Sequence, residues 1–442
     1  MSPLEIGAVI GLVTIVVLSS GIPIAFGLGL VAVAFLVIFD GWGSLGIVAD
    51  TFFAGIGEFA LVSIPMFVLM GAAVASSPAG KDLYEALERW LYRVPGGLII
   101  SNIGACSIFA ALSGSSPATC AAIGKMGIPE MRQRGYPDGL ATGAIAAGGT
   151  LGILIPPSVT MIVYGISTET SIGRLFIAGL LPGLMLTCLF MAWSLFAAWR
   201  GGYRFSLTGA GYSLRQKLVV LPRVLPFLLI IAGVLYVLYG GIATPSEAAG
   251  VGALFCVLLV VVIYGLFLRS WSPTRIWEIL GDSMRESVMI LMIIGASALF
   301  SYTLSSLFVT QSIAEWIAGL DVNKWVLMAM INAFLLVCGF FLPPVAVILM
   351  TAPILLPIVT SAGFDPYWFA VVFTINMEIG LITPPVGLNL YVINGIAPDV
   401  SLPTILKGAL PFMLSMALGI VLLCIFPEIA TWLPEAIMGP GF

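Results

Sequence analysis

Gly152 to Ser158 read GILIPPS inside a long apolar run, and Gly380 to Val386 read GLITPPV near the other end of the chain. A proline lacks an N–H and its ring crowds the preceding turn, so each Pro-Pro pair is expected to unwind the helix that contains it. Unwinding in mid-bilayer frees carbonyl oxygens, and bare peptide oxygens are cation ligands. Pro156 and Pro157 open one such centre; Gly380, Thr383 and Pro385 offer the equivalent carbonyls in the other. The stretch SGSSPAT adds the hydroxyls of Ser113, Ser115, Ser116 and Thr119, enough neutral oxygen to cage a Na⁺. Half-helix N-termini at the same breaks face anionic groups. Two blander readings stand beside this one: prolines kink membrane helices for packing alone, and a serine-rich tip forms a turn and caps the returning helix.

Other polar residues near the breaks carry the same ambiguity. Asn376 and Asn389 flank the second break, where an amide is either interhelical glue or a substrate contact. Together with Ser116, Thr119 and Ser158 they form the candidate substrate-binding set. Glu378 and Glu247 lie near apolar segments and are candidates for proton carriage or for interfacial sites with solvated partners. Neutral oxygen donors dominate both centres and the chain has no histidine, which ranks sodium coupling above proton coupling. Leu83 to Gly97, LYEALERWLYRVPGG, alternates charge with aromatic and aliphatic residues, as an interfacial helix or an ordinary connecting helix would.

Composition names the solvent that must hold these centres. Of 442 residues, 60% are hydrophobic and 9% charged, far from the roughly half apolar and quarter charged of soluble domains. Runs such as Leu4 to Ser19, Ile24 to Phe39, Leu218 to Tyr239, Ala248 to Leu268 and Leu410 to Phe426 approach the roughly 20 residues that cross a hydrocarbon core. About eleven transmembrane helices are expected in an all-α polytopic membrane protein. The 50 glycines and 28 prolines require irregular backbone that neighbouring helices or a hydrated cavity satisfy.

A net charge of −4, with the basic residues mostly in short loops, argues against a nucleic-acid partner. Six scattered cysteines without CxxC spacing read as small core residues rather than metal ligands. The first apolar run follows MSPLE, with neither a basic n-region nor a small-x-small cleavage site, and reads as a retained helix. No separate soluble domain is expected. Without histidine, enzymatic chemistry would rest on the LSGSS hydroxyls and a Ser-Lys pair with Lys125, the remotest reading.

The chain repeats itself. An offset of 228 residues carries Gly152 onto Gly380, Pro156 onto Pro384, Pro157 onto Pro385, Pro129 onto Pro357 and Gly135 onto Gly363. At 229, Gly179 and Pro182 meet Gly408 and Pro411. The halves are therefore 1–215 and 216–442, with the seam in the polar stretch Arg200 to Arg223. Each half holds an interrupted segment that reads as a re-entrant hairpin, about 101–135 and about 328–362, followed by a broken helix, about 139–166 and about 367–395. Arms of about 12 residues would reach about 18 Å, half of the core. Lys125, Arg132 and Arg134 lie at the base of the first hairpin and no basic residue at that of the second, so the two open to opposite faces, as in an inverted repeat.

The segment from SGSSPATCAAIGKMGIPEMRQRGYPDG through LGILIPPSVTMIVYG, with ATPSEAAGVGA, TAPILLPI and GLITPPVGLNLYVINGI, resembles the large membrane subunit of the tripartite ATP-independent periplasmic (TRAP) transporters over nearly the whole chain. That resemblance implies an elevator-type symporter in the bacterial inner membrane. A transport domain of two hairpins and two broken helices slides against a scaffold, and two or more Na⁺ drive uptake of an organic anion such as a C4-dicarboxylate or sugar acid. A periplasmic substrate-binding protein delivers the anion, and a small four-helix membrane subunit, here a separate polypeptide, widens the scaffold. It places the first Na⁺ site at Ser113 and Ser115 with carbonyls near Gly152, Ile155 and Pro157. The second falls at the tip around Phe341 to Val345 with Gly380, Thr383 and Pro385. Pro343 stands where many relatives have an acid. The alternative is a stand-alone Na⁺- or H⁺-coupled anion symporter of related fold.

Overall fold

The computed structural model describes residues 1–94, 96–201, 212–267, 274–319 and 322–439. Helices account for all the regular structure among them. Seven are long and apolar enough to cross a membrane; a bent pair, Trp42–Ile56 with Phe59–Ala75 at 58°, makes an eighth. This falls short of the expected count of about eleven beside two hairpins: Pro3–Ser19 and Ile24–Asp40 are apolar but shorter, and the seven include Lys324–Phe341 and Pro344–Ser361, the arms of the second hairpin.

Helix boundaries follow local chemistry. Ser2 with Glu5, Ser213 with Gln216 and Thr244 with Glu247 form capping boxes, each satisfying two backbone N–H groups that a helix start leaves unpaired. Glu247 serves as the capping residue of helix Pro245–Leu259, its carboxylate accepting from the Thr244 N–H at 2.8 Å. The polar seam is shorter than expected: helix Ile172–Arg200 runs to its edge and helix Leu214–Tyr239 already contains Arg223. The remainder of that stretch, 202–211, lies outside the described residues.

The first hairpin has arms Gly97–Ser113 and Ser116–Gln133, the second Lys324–Phe341 and Pro344–Ser361. Arms of 17 and 18 residues exceed the expected dozen, because both continue as regular helix past the residues that break hydropathy. At 1.5 Å per residue they extend about 26 Å rather than about 18 Å. Gly114 turns the first tip with φ +58. Gly135 and Gly363, at the paired positions after the returning arms, have φ +80 and φ +82, a left-handed conformation that a Cβ would strain. Pro129 and Pro357 lie inside the returning arms, and Pro182 and Pro411 inside the helices that follow the breaks.

Both Pro-Pro segments interrupt their helices. The first broken helix is Asp138–Thr150 and Val159–Ser167, the second Pro366–Leu381 and Leu388–Ile396. Packing between the halves is reciprocal. The returning arm of the first hairpin lies against Leu388–Ile396, and that of the second against Val159–Ser167. Helix Leu402–Ile425 packs on Asp138–Thr150, and helix Ile172–Arg200 on Pro366–Leu381. One large apolar cluster runs through hairpins and broken helices; a second joins Pro3–Ser19 and Ile24–Asp40 to the stretch from Ala296 to Val309.

Candidate functional site

At the first centre a hairpin tip seats on a helix break, and both contribute peptide oxygens. The Ser113 hydroxyl lies 3.3 Å from the Ser115 carbonyl and 2.8 Å from the Thr119 hydroxyl, which itself donates to the Ser115 carbonyl at 2.9 Å. Ser113, Ser115 and Thr119 thus converge on one spot. The approach of tip to break is close: a Cβ on Gly152 would fall 2.6 Å from the Ser115 oxygen, and one on Gly114 2.9 Å from the Pro157 oxygen. Only glycine permits these contacts.

The break does what proline chemistry predicts. Leu154 and Ile155 close a last turn onto the Leu151 carbonyl, after which no backbone N–H among the described residues reaches the carbonyls of Ile155, Pro156 or Pro157. Ser158 caps the next half-helix, accepting from the Met161 N–H at 3.2 Å and donating to the Ile153 carbonyl at 2.5 Å. Its hydroxyl is committed within the break and, in this conformation, presents nothing to a substrate.

Ser116 is fully buried and bridges outward. Its hydroxyl lies 3.4 Å from the Thr150 carbonyl and 3.2 Å from each carboxylate oxygen of Glu378. Glu378 is itself 1% exposed, not the solvated interfacial acid that was one reading of the sequence. Asn389 donates to the Ala146 carbonyl at 3.3 Å, and Asn376 donates to Asn332 and to the Val372 carbonyl. These amides bind helix to helix, which favours the glue reading; the Oδ1 atoms of both lack hydrogen-bond partners. Asn332, on the first arm of the second hairpin, escaped sequence reasoning, since a lone amide in an apolar arm carries no periodic signal.

The second centre repeats the plan with less cover. Gly380 backs onto the tip arm, where an added Cβ would fall 2.5 Å from the Gly339 oxygen. The Val386 N–H bonds the Phe340 carbonyl at 3.2 Å, and the Thr383 hydroxyl turns back to the Ile379 carbonyl at 2.6 Å. The carbonyls of Thr383, Pro384 and Pro385 receive no backbone N–H among the described residues. Residues 151–160 of the first break are all buried, whereas Pro384, Pro385 and Val386 are exposed and Phe341 is 58% exposed. Phe341 ends the outgoing arm of the second hairpin, and since a phenyl ring has no donor oxygen, only its carbonyl is available as a ligand.

Arg132 and Arg134 at the first hairpin base are paired. Arg132 bonds Asp138 at 2.9 Å and Asp399 at 2.5 Å, and Arg134 bonds Glu130 at 2.6 Å and also Glu88. Hydrogen bonding from Arg132 holds the exposed Asp399 carboxyl below the usual carboxylate range. Glu88 lies on helix Ala79–Leu91, the connecting segment read as amphipathic, which also meets Arg223 through Asp82 at 3.6 Å.

Residues 12–429 match the family model of the tripartite ATP-independent periplasmic transporter, DctM component. The C4-dicarboxylate TRAP transporter large permease protein DctM of Pseudomonas aeruginosa is 37% identical, covering 86% of this chain and 87% of its own. The isethionate TRAP transporter permease protein DctMQ of Oleidesulfovibrio alaskensis is 34% identical over 91% of this chain, which spans 62% of that longer protein. Among solved structures, the YdaH transporter of Alcanivorax borkumensis superposes with a TM-score of 0.67 at 17% identity, covering 92% of this chain and 91% of that one, a likeness of fold. Apolar spans, paired hairpins and paired breaks agree with these matches: the chain is a multi-pass membrane protein of the DctM family, the large permease subunits, not enzymes, of TRAP transporters that work with a substrate-binding protein and a small membrane subunit.

Proposed function

We propose that this chain is the permease of a Na⁺-coupled system that takes up an organic anion, a carboxylate such as a C4-dicarboxylate or sugar acid, across the bacterial inner membrane. A periplasmic substrate-binding protein hands over the anion, and a separate small four-helix subunit completes the membrane scaffold. The observation that carries the reading is the seating of the Ser113–Ser115 tip on the first break, so close that a Cβ on Gly152 or Gly114 would fall within 3 Å of the Ser115 or Pro157 oxygen. Bare carbonyls and hydroxyls in a dry site suit Na⁺, a hard cation that needs oxygen ligands and no acid.

In this reading, Na⁺ at the first site is held by Ser113, Ser115 and the carbonyls of Gly152, Ile155 and Pro157. A second ion takes carbonyls at Phe341, Gly380, Thr383 and Pro385. The bound charge offsets the cost of removing a carboxylate from water, so the anion docks only on a sodium-loaded permease. Its contacts are drawn from Ser116, Thr119, Ser158, Asn376 and Asn389, between the two tips that bound Na⁺ fixes. Residues 1–215 and 216–442 act as inverted repeats, a relation that the reciprocal packing supports. The separate cluster built on Pro3–Ser19 and Ile24–Asp40 supports a static scaffold beside a moving elevator body.

The test is uptake into proteoliposomes carrying the permease and small subunit, with binding protein added. Uptake should require a sodium gradient and the binding protein, and Ser115→Leu should abolish it. Uptake without the soluble partner would favour a stand-alone symporter; equal uptake in sodium-free buffer would refute the coupling.

A further inference from the structure

Glu378 is a carboxylate that the sodium reading leaves without a role. It is 1% exposed, on Pro366–Leu381 of the second broken helix, and it touches the first centre. Both oxygens accept from the Ser116 hydroxyl at 3.2 Å, and the Ile153 N–H faces the same group. Ser116 follows Ser115 in the tip, and Ile153 follows Gly152 in the break. The same Ser116 hydroxyl reaches the Thr150 carbonyl at 3.4 Å, so one knot joins the first tip, the first break and the second broken helix.

On its own helix Glu378 also adjoins the second centre. The next residue, Ile379, supplies the carbonyl that receives the Thr383 hydroxyl at 2.6 Å, and Gly380 backs onto Gly339. Among the described residues no lysine or arginine forms an ion pair with it. An intramembrane acid held only by neutral donors is costly and marks function rather than packing.

We propose that Glu378 is a positioning residue whose hydrogen bond to Ser116 couples cation occupancy at the two breaks. A cation that pulls the first tip onto its break fixes Ser116, Ser116 fixes Glu378, and Glu378 fixes the turn of helix that carries Ile379 and Gly380. The inference rests on the sodium-coupled reading, and it commits to the hydrogen bond as the link.

The experiment measures Na⁺ binding by calorimetry to the permease and small subunit in nanodiscs, beside Na⁺ activation of uptake. The wild type should bind with a Hill coefficient above 1. Glu378→Ala and Ser116→Ala should each lower it to about 1 and raise half-saturating Na⁺ about fivefold or more, the range of ordinary site-to-site coupling. Glu378→Gln, which keeps an acceptor for Ser116, should retain the cooperativity, and the double alanine variant should be no worse than either single one. If Glu378→Ala does not fold, Ser116→Ala, the smaller change, decides alone. Unchanged cooperativity in Ser116→Ala, a non-cooperative wild type, or Glu378→Gln as impaired as Glu378→Ala would each overturn the coupling. A wild type that binds no Na⁺ fails the function reading instead, before any variant is compared.

Discussion

Replacing Gly152 by alanine tests the tip-on-break geometry with one carbon atom. The new Cβ would lie 2.6 Å from the Ser115 oxygen, 2.7 Å from its carbonyl carbon and 2.8 Å from the Ser116 nitrogen, all backbone atoms that no rotamer change can move. Ordinary contact begins at 3.4 Å, so tip and break must separate by about 0.8 Å. Metal-ligand distances tolerate about ±0.2 Å, and the Ser115 and Pro157 oxygens would no longer close on the same ion. Overpacking of a tight site costs about 1–3 kcal/mol, and the chain entropy that alanine saves belongs to the unfolded state and does not offset it here. A penalty of about 1–2 kcal/mol, within that range and felt mainly in the seated, sodium-bound state, corresponds to a roughly 5- to 30-fold rise in half-saturating Na⁺.

Sodium-activated uptake in the reconstituted tripartite system reads this shift directly. Gly250→Ala is the control, since its Cβ would meet nothing within 4 Å. A Gly152→Ala permease that purifies intact and keeps wild-type sodium dependence within twofold would refute the claim that this contact shapes an ion site.

Gly380→Ala should act in the same direction at the second centre, where the Cβ would meet the Gly339 oxygen at 2.5 Å, and its weakened sodium activation is measured in the same uptake assay. Trp368→Phe removes the 2.7 Å bond from the indole Nε1 to the Leu423 carbonyl in a site 1% exposed. It should cost about 1–3 kcal/mol, seen as a lower unfolding midpoint in detergent with sodium dependence unaltered. Asp399 has a lowered folded-state pKa because Arg132 bonds it, so its stabilisation is present above the ordinary carboxyl value and lost as pH falls through the folded one. Asp399→Asn should therefore unfold slightly earlier than the wild type at pH 7, with the gap closing below about pH 3. A gap that widens in acid would contradict that sign.

Some of this architecture is local in origin and so was legible in one dimension. Pro156–Pro157 and Pro384–Pro385 end their helices because two adjacent residues lack an N–H and crowd the preceding turn, whereas the single Pro129, Pro182, Pro357 and Pro411 stay inside theirs. The pairing of Gly135 with Gly363 at 228 residues recurs as two left-handed turns, since both sites need a residue without Cβ. The hairpin arms were read too short because apolar patterning cannot distinguish a re-entrant end from a helix that keeps winding under tertiary cover.

Hydrophobic content and the two proline breaks were settled by the chain itself, since each depends on side-chain chemistry or near-neighbour sterics. What the amides and hydroxyls do was decided by tertiary contact: Ser158 caps its own break, Asn389 reaches Ala146, and Ser116 meets Glu378 from 262 residues away. A buried polar group takes whatever partner packing brings within about 3 Å, and no periodicity in the sequence specifies that partner.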